Sequence, residues 1–340
     1  LYEVTQIKGD SETHPLLSPN DEFADFETWD TLNVFAVPNR PELLPGQYVR
    51  EAYKQGLKWQ KMLGTNPYKF GLIGSTDSHN GFSATREENY WGKFIATEPS
   101  AKRYKYPFMV SKDKPELNIY AYQESSAGLS AVWATENTRP AIFDALKRKE
   151  TYATTGTRLT VRVFAGWDFN QQDLQTDFVE QGYARGVPMG GDLKKGPEGK
   201  SPRFMIQAAK DTIGANLDRM QIVKGWMGAD GQLQERVYDV AVSDDRKINV
   251  QGVCNTSVGS TVDLSKPSYQ NTIGAPTLEA LWTDPDFDPA LSAFYYVRVI
   301  EIPTPRWTAY DAVRYNIEMP EAVKQTVQDR AYSSPIWYSL

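Results

Sequence analysis

Cysteine and histidine are almost missing from this chain: 340 residues hold one cysteine, Cys254, and two histidines, His14 and His79. A single cysteine excludes an intrachain disulfide and any Cys-rich zinc site, and leaves the redox compartment open. Imidazole chemistry has only two side chains to draw on. No apolar run reaches the roughly 18 residues that a membrane-spanning helix needs. Positive charge is also short, with 37 Lys and Arg against 43 Asp and Glu, a net charge of −6. That balance excludes a nucleic-acid binder held by a basic face. There is no internal repeat and no low-complexity tract. The chain opens at Leu1 without an initiator Met or a leader-peptide pattern, which suggests a processed or truncated piece of something longer.

What is present is bulk. Hydrophobic residues make up 40% and aromatic residues 12%, enough for sizeable cores and too much for a disordered chain. Residues 2–9 alternate and are β-branched, so they predict a strand, and Asp10 to Pro15 predict a polar loop leaving it. A helical pattern over 45–63 places Val49, Tyr53 and Leu57 on one side and stops near Gly64. A short apolar strand over 69–75 follows, then a second polar loop, Thr76 to Gly81. A strand, a long helical connection and another strand favour a parallel pair. Chemistry in parallel α/β folds sits past the C-terminal strand ends, which is where both histidines fall. Residues 136–150 predict a second helix capped by Thr138, and strands are expected over 151–155 and 159–165.

Past about residue 166 the pattern changes. Strands are expected over 203–208, 219–225, 235–242, 294–302 and 335–339, with no helix between them. Long loops are expected over 186–202 and 252–292, with one helix near 320–330. The division expected is therefore an α/β portion over 1–165 and a β-sandwich-like module over 166–340.

Asp77-x-His79 is the strongest chemical signal. A hard carboxylate oxygen and a borderline imidazole nitrogen on one tight loop suit Zn, Mn or Fe. The same residues also make an ordinary loop in which Asp77 caps a turn and His79 lies on the surface. Glu12-x-His14, with Asp10 nearby, occupies the equivalent place after the first strand, and the coincidence favours one shared site. Arg158, after Thr154-Thr155-Gly156-Thr157, can meet an anionic group or simply face solvent. Other motifs fall away. Asp284-x-Asp286-x-Asp288 lacks the glycine and the final glutamate of a calcium loop. Gly196 to Ser201 lacks the first glycine of a phosphate loop. Cys254 has no histidine near it in sequence for nucleophilic work, and no G-x-S-x-G elbow occurs.

Four stretches carry a resemblance: QIKGDSETHP at 6–15, GLIGSTDSHN at 71–80, AVWATENTRPAIFDALKRKETYATTG at 131–156 and IEIPTPRWTAYDA at 300–312. With them the chain resembles the polymerase-and-histidinol-phosphatase (PHP) superfamily of metallohydrolases. More narrowly, it looks like the C-terminal part of the group called domain of unknown function 3604. The resemblance implies a partial PHP-type distorted (β/α) barrel followed by the β-sandwich-like module. It implies one to three divalent ions, with His14, Asp77 and His79 as ligands, Asp10 and Glu12 supporting them, and no organic cofactor. The superfamily's opening His-x-His, its next His and its bridging Glu have no counterpart here and would lie before Leu1 as the remaining part of the same barrel. The implied activity is hydrolysis of a small-molecule phosphoester or related ester by metal-activated water, with Arg158 as an anion contact, in a periplasmic or secreted protein. The competing expectation is a non-catalytic β-rich protein that binds a partner or glycan.

Overall fold

The computed structural model describes residues 1–339. It is a mixed α/β structure, mostly sheet with few helices. The strand Tyr2–Gln6 runs parallel to Leu72–Gly74 and antiparallel to the short Gly9–Asp10. Between the parallel strands lies helix α1 (Val49–Leu63), whose predicted stripe of Val49, Tyr53 and Leu57 is buried. It stops at Gly64, whose φ of 74° supplies the left-handed C-cap.

An eight-stranded sheet forms the centre of the molecule. Its middle strand, Ala293–Glu301, pairs antiparallel with Leu217–Met227 on one side and with Arg330–Ser333 and Ile336–Tyr338 on the other. Arg330–Ser333 in turn pairs with Thr151–Thr154. A second, four-stranded sheet joins Thr160–Gly166, Arg203–Ala209, Thr277–Thr283 and Gly186–Pro188. Pairing thus ties residues 151–166 to partners in the second half of the chain.

Alternation on Ala293–Glu301 explains the layering. Ala293, Tyr295, Val297 and Val299 face the four-stranded sheet, meeting Val161, Val163, Phe204 and Ile206 in one core. Phe294 and Tyr296 face the opposite way and pack with Val49, Tyr53, Leu57, Val4 and Leu72. The result is a β-sandwich with α1 and the parallel pair laid on its other face. The sheets do not close into a barrel among the described residues, because the parallel pair ends against the large sheet instead of curling onto itself.

Helix α2 (Arg139–Lys147) has Thr138 as its N-cap and buries Ala145, as the sequence predicts. Two helices absent from the sequence reading follow residue 166, and a third interrupts the strands expected to run without one between them. Helices α3 (Gln171–Thr176) and α4 (Phe178–Arg185) cover the outer face of the four-stranded sheet through Leu174 and Phe178. The last helix is α5 (Trp307–Tyr315), earlier in the chain than expected, and Thr277–Thr283 is a strand inside the expected long loop.

Candidate functional site

The parallel register sets Thr5 beside Gly74, and the Ser75 N–H donates to the Thr5 carbonyl at 3.0 Å, so the chain leaves both strands at one edge. Asp77 follows three residues on with a φ of 50°, a left-handed conformation that Asp tolerates better than most residues. Its Oδ2 receives the ammonium groups of both Lys8 and Lys93. Lys93 Nζ also donates to the Asp77 carbonyl at 2.9 Å. Asp77 Oδ1 meets His79 Nε2 at 3.1 Å. The His79 backbone N–H donates to the Lys93 carbonyl at 2.7 Å, which holds the loop while leaving the ring 59% exposed.

Charge in this loop is finely balanced. Burial works against the Asp77 carboxylate, but the two lysines outweigh it and hold its pKa below the usual value. Burial depresses the Lys93 ammonium, and Lys8 adds to that, against the pull of Asp77. Behind Lys93 lies Glu124, pushed up to about 7 by burial. One of its carboxylate oxygens accepts from Tyr90, and the other has no partner. Lys8 stands inside the stretch that drew attention in sequence. Lys93, Tyr90 and Glu124 carried no sequence signal, since isolated Lys, Tyr and Glu are ordinary residues.

His14 is not part of this group. Its Nδ1 accepts the Leu16 N–H at 3.1 Å, which puts the ring proton on Nε2, and Nε2 donates to Asp30 at 3.1 Å. Neither nitrogen has a lone pair left for a metal. Asp77 Oδ2, with two ammonium groups on it, is equally poor for a divalent cation. Among the described residues no three His, Cys, Asp or Glu side chains are arranged to hold a metal ion. The set of His14, Asp77 and His79 expected from sequence is therefore only partly assembled: Asp77 and His79 meet, and His14 is committed elsewhere.

The two supporting acids have structural partners. Glu12 lies in a buried ionic lattice, accepting from Arg50 Nε at 3.0 Å and from Arg298 at 3.2 Å, with Tyr296 as a further donor. Asp10 accepts from Tyr332 and from the Glu12 N–H, and burial with the Glu12 charge pushes it up to about 7. Arg158 is exposed, and the bond it makes is from its backbone N–H to Asp211 at 3.2 Å. Asp284 pairs with Lys224 at 2.7 Å while Asp286 pairs with Arg236 at 2.7 Å, so the Asp-x-Asp motif does not converge on one ion.

Fold and site together define a sandwich-based α/β protein with a lysine-clamped Asp–His loop at the edge of a parallel strand pair. The family model described as Protein of unknown function (DUF3604) matches residues 1–340, and the chain belongs to that family. No match was found among curated proteins.

Proposed function

We propose that the chain carries a hydrolytic site for a small anionic ester, with His79 as general base, Asp77 as its orienting partner, and Lys8 and Lys93 as the cations that face the substrate's charge. The observation that carries this reading is the 3.1 Å contact between His79 Nε2 and Asp77 Oδ1 at the open edge of the parallel strands. Asp77 fixes the ring and stabilises the imidazolium, which leaves Nδ1 to take a proton from water. The water oxygen forms a bond to the phosphorus or acyl carbon. The bond to the leaving oxygen breaks with its electron pair, and that oxygen takes the proton back from His79. Lys8, the more exposed of the two lysines, is placed to turn from Asp77 toward the developing anion.

The PHP resemblance supports a second reading, metal-activated water in a PHP-type barrel, because His79 follows one strand of the parallel pair, whereas His14 comes after Gly9–Asp10 has turned the chain back antiparallel. Since the donor set as arranged does not fit a metal, that reading needs Lys8 and Lys93 moved off Asp77 and His14 turned away from Asp30.

The test is hydrolysis of p-nitrophenyl phosphate and p-nitrophenyl acetate by the purified protein, with chelator and with added Zn or Mn. The dyad reading expects turnover that survives chelation and falls about 100-fold or more in His79→Ala, with an unchanged melting temperature. Turnover that appears only with metal supports the second reading. Equal turnover in His79→Ala rejects the dyad, and no turnover under any condition favours the binding-protein class.

A further inference from the structure

A small cavity of about 70 Å³ lies where distant stretches of the chain meet, lined among others by Glu87, Gly156, Tyr269, Glu301, Tyr310 and Asp329. Two of the sequence stretches that drew attention, 131–156 and 300–312, reach this cavity at Gly156 and Glu301, and the Asp77–His79 loop uses neither.

The carboxylates here differ from most buried acids elsewhere in the molecule, Asp10 and Glu124 excepted. Asp21 meets Arg298 at 2.6 Å, Glu27 meets Arg306 at 3.0 Å, Asp284 meets Lys224 at 2.7 Å, and Asp311 is held by Arg103. Glu87, Glu301 and Asp329 have no Lys or Arg in salt-bridge reach among the described residues. Glu87 accepts the Trp307 N–H and lies beside the Ser126 hydroxyl, Asp329 accepts the Thr155 hydroxyl at 2.6 Å, and Glu301 accepts the Thr157 hydroxyl at 2.6 Å. Glu301 is 2% exposed, and its Oε2 makes no hydrogen bond although the residue lines the cavity.

Two buried carboxylates, Glu87 and Glu301, and the half-buried Asp329 have no salt-bridge partner among the described residues, the lining Arg86 being paired with Glu88, and such acids are costly unless they stay protonated or a cation enters. Burial and the neighbouring Asp329 push Glu87 up to about 8 against the pull of Arg306, and burial pushes Asp329 up to about 6 against that of Arg330. The cation is not a metal held by these side chains, because no three of them converge on one point among the described residues. Two tyrosine rings in the lining suit a diffuse positive charge. We infer that this cavity binds the ammonium head of a small organic amine, with Glu301 and Asp329 as its counter-charges and the Tyr269 and Tyr310 rings around it, as a site separate from the Asp77–His79 loop.

Isothermal titration of the purified protein with n-butylammonium chloride, and with n-butanol as the neutral isostere, tests this. Saturable one-to-one binding of the ammonium alone is expected. Glu301→Gln and Asp329→Asn should each weaken it about tenfold or more, and Tyr269→Leu, at a half-exposed position, about three-fold. His79→Ala should bind as the parent does, so failure here leaves the hydrolytic proposal standing, and the reverse. Melting temperatures confirm that each variant is folded. Absence of saturable binding, equal binding of n-butanol, or unchanged affinity in folded Glu301→Gln and Asp329→Asn each overturns the inference.

Discussion

Glu12 and Arg298 stand 286 residues apart in the chain, and their side chains bond at 3.2 Å in the interior. The same carboxylate takes Arg50, and Asp21 takes both arginines, so the segment from Glu12 to Asp21 is tied to α1 and to the central strand at once. Charges this deeply buried are held only by each other.

Removing one member should therefore leave an uncompensated buried charge. We expect Glu12→Ala to lose about 3–5 kcal/mol of stability in denaturant unfolding. A loss below about 1 kcal/mol would show that the lattice re-forms around Asp21 alone.

The aromatic contact under α1 makes a purely apolar prediction. Tyr53 is fully buried, with its ring 5.3 Å from Phe294 and 5.5 Å from Trp337, both edge-on. Tyr53→Ala should cost about 3–5 kcal/mol through the cavity it opens. Tyr53→Phe removes only the 3.2 Å bond from its hydroxyl to the Phe70 carbonyl and should cost about 1 kcal/mol.

Gly9 turns the chain from the first strand into the Asp10 strand with a φ of 89°, and a Cβ there would stand 1.7 Å from the Glu27 carbonyl oxygen. Gly9→Ala combines a disfavoured backbone with a clash against backbone, and should cost about 3 kcal/mol. Gly64, also left-handed but with open space around it, should lose far less on the same change. Melting curves of the two variants settle the contrast.

Stability should also depend on pH, in a direction set by the buried acids. Glu87 is raised to about 8, and Glu124 and Asp10 to about 7, chiefly by burial. An acid with a raised folded pKa binds its proton more tightly in the folded chain. Its contribution is complete below its unfolded pKa of about 4 and is lost as pH rises through the folded value. Asp21 runs the opposite way: its arginines hold it low despite burial, and its contribution is lost only in acid. The melting temperature should fall between pH 6 and pH 9, and Glu87→Gln should flatten that fall. An identical slope in the variant would count against Glu87 as a source.

Much of the architecture is legible in sequence where one periodicity dominates. Val49, Tyr53 and Leu57 announce α1, and short apolar runs announce the strands around 203–208, 219–225 and 294–302. The missed pieces each had a competing signal. Thr277–Thr283 reads TLEALWT, whose Leu, Glu and Ala suit a helix as well, and only antiparallel pairing with Arg203–Ala209 decides it. Helix α3 had a usable signal in Asn170, whose side chain accepts from the Asp173 N–H while the Asp173 side chain accepts from the Asn170 N–H. At the site, the Asp77–His79 pairing follows from proximity in sequence. The fate of His14 does not, because Asp30 is an unremarkable loop residue until folding brings it to the ring.

All nine residues of Ala293–Glu301 are buried, since one face of this strand lines the sandwich and the other lines α1. A strand with no side toward water carries few charged residues to discourage self-pairing, and here only Arg298 and Glu301 interrupt AFYYVRVIE. Once heat releases it, this segment should stick to its copies in other chains. Recovery after heating should therefore drop as protein concentration rises, and dilution should rescue it.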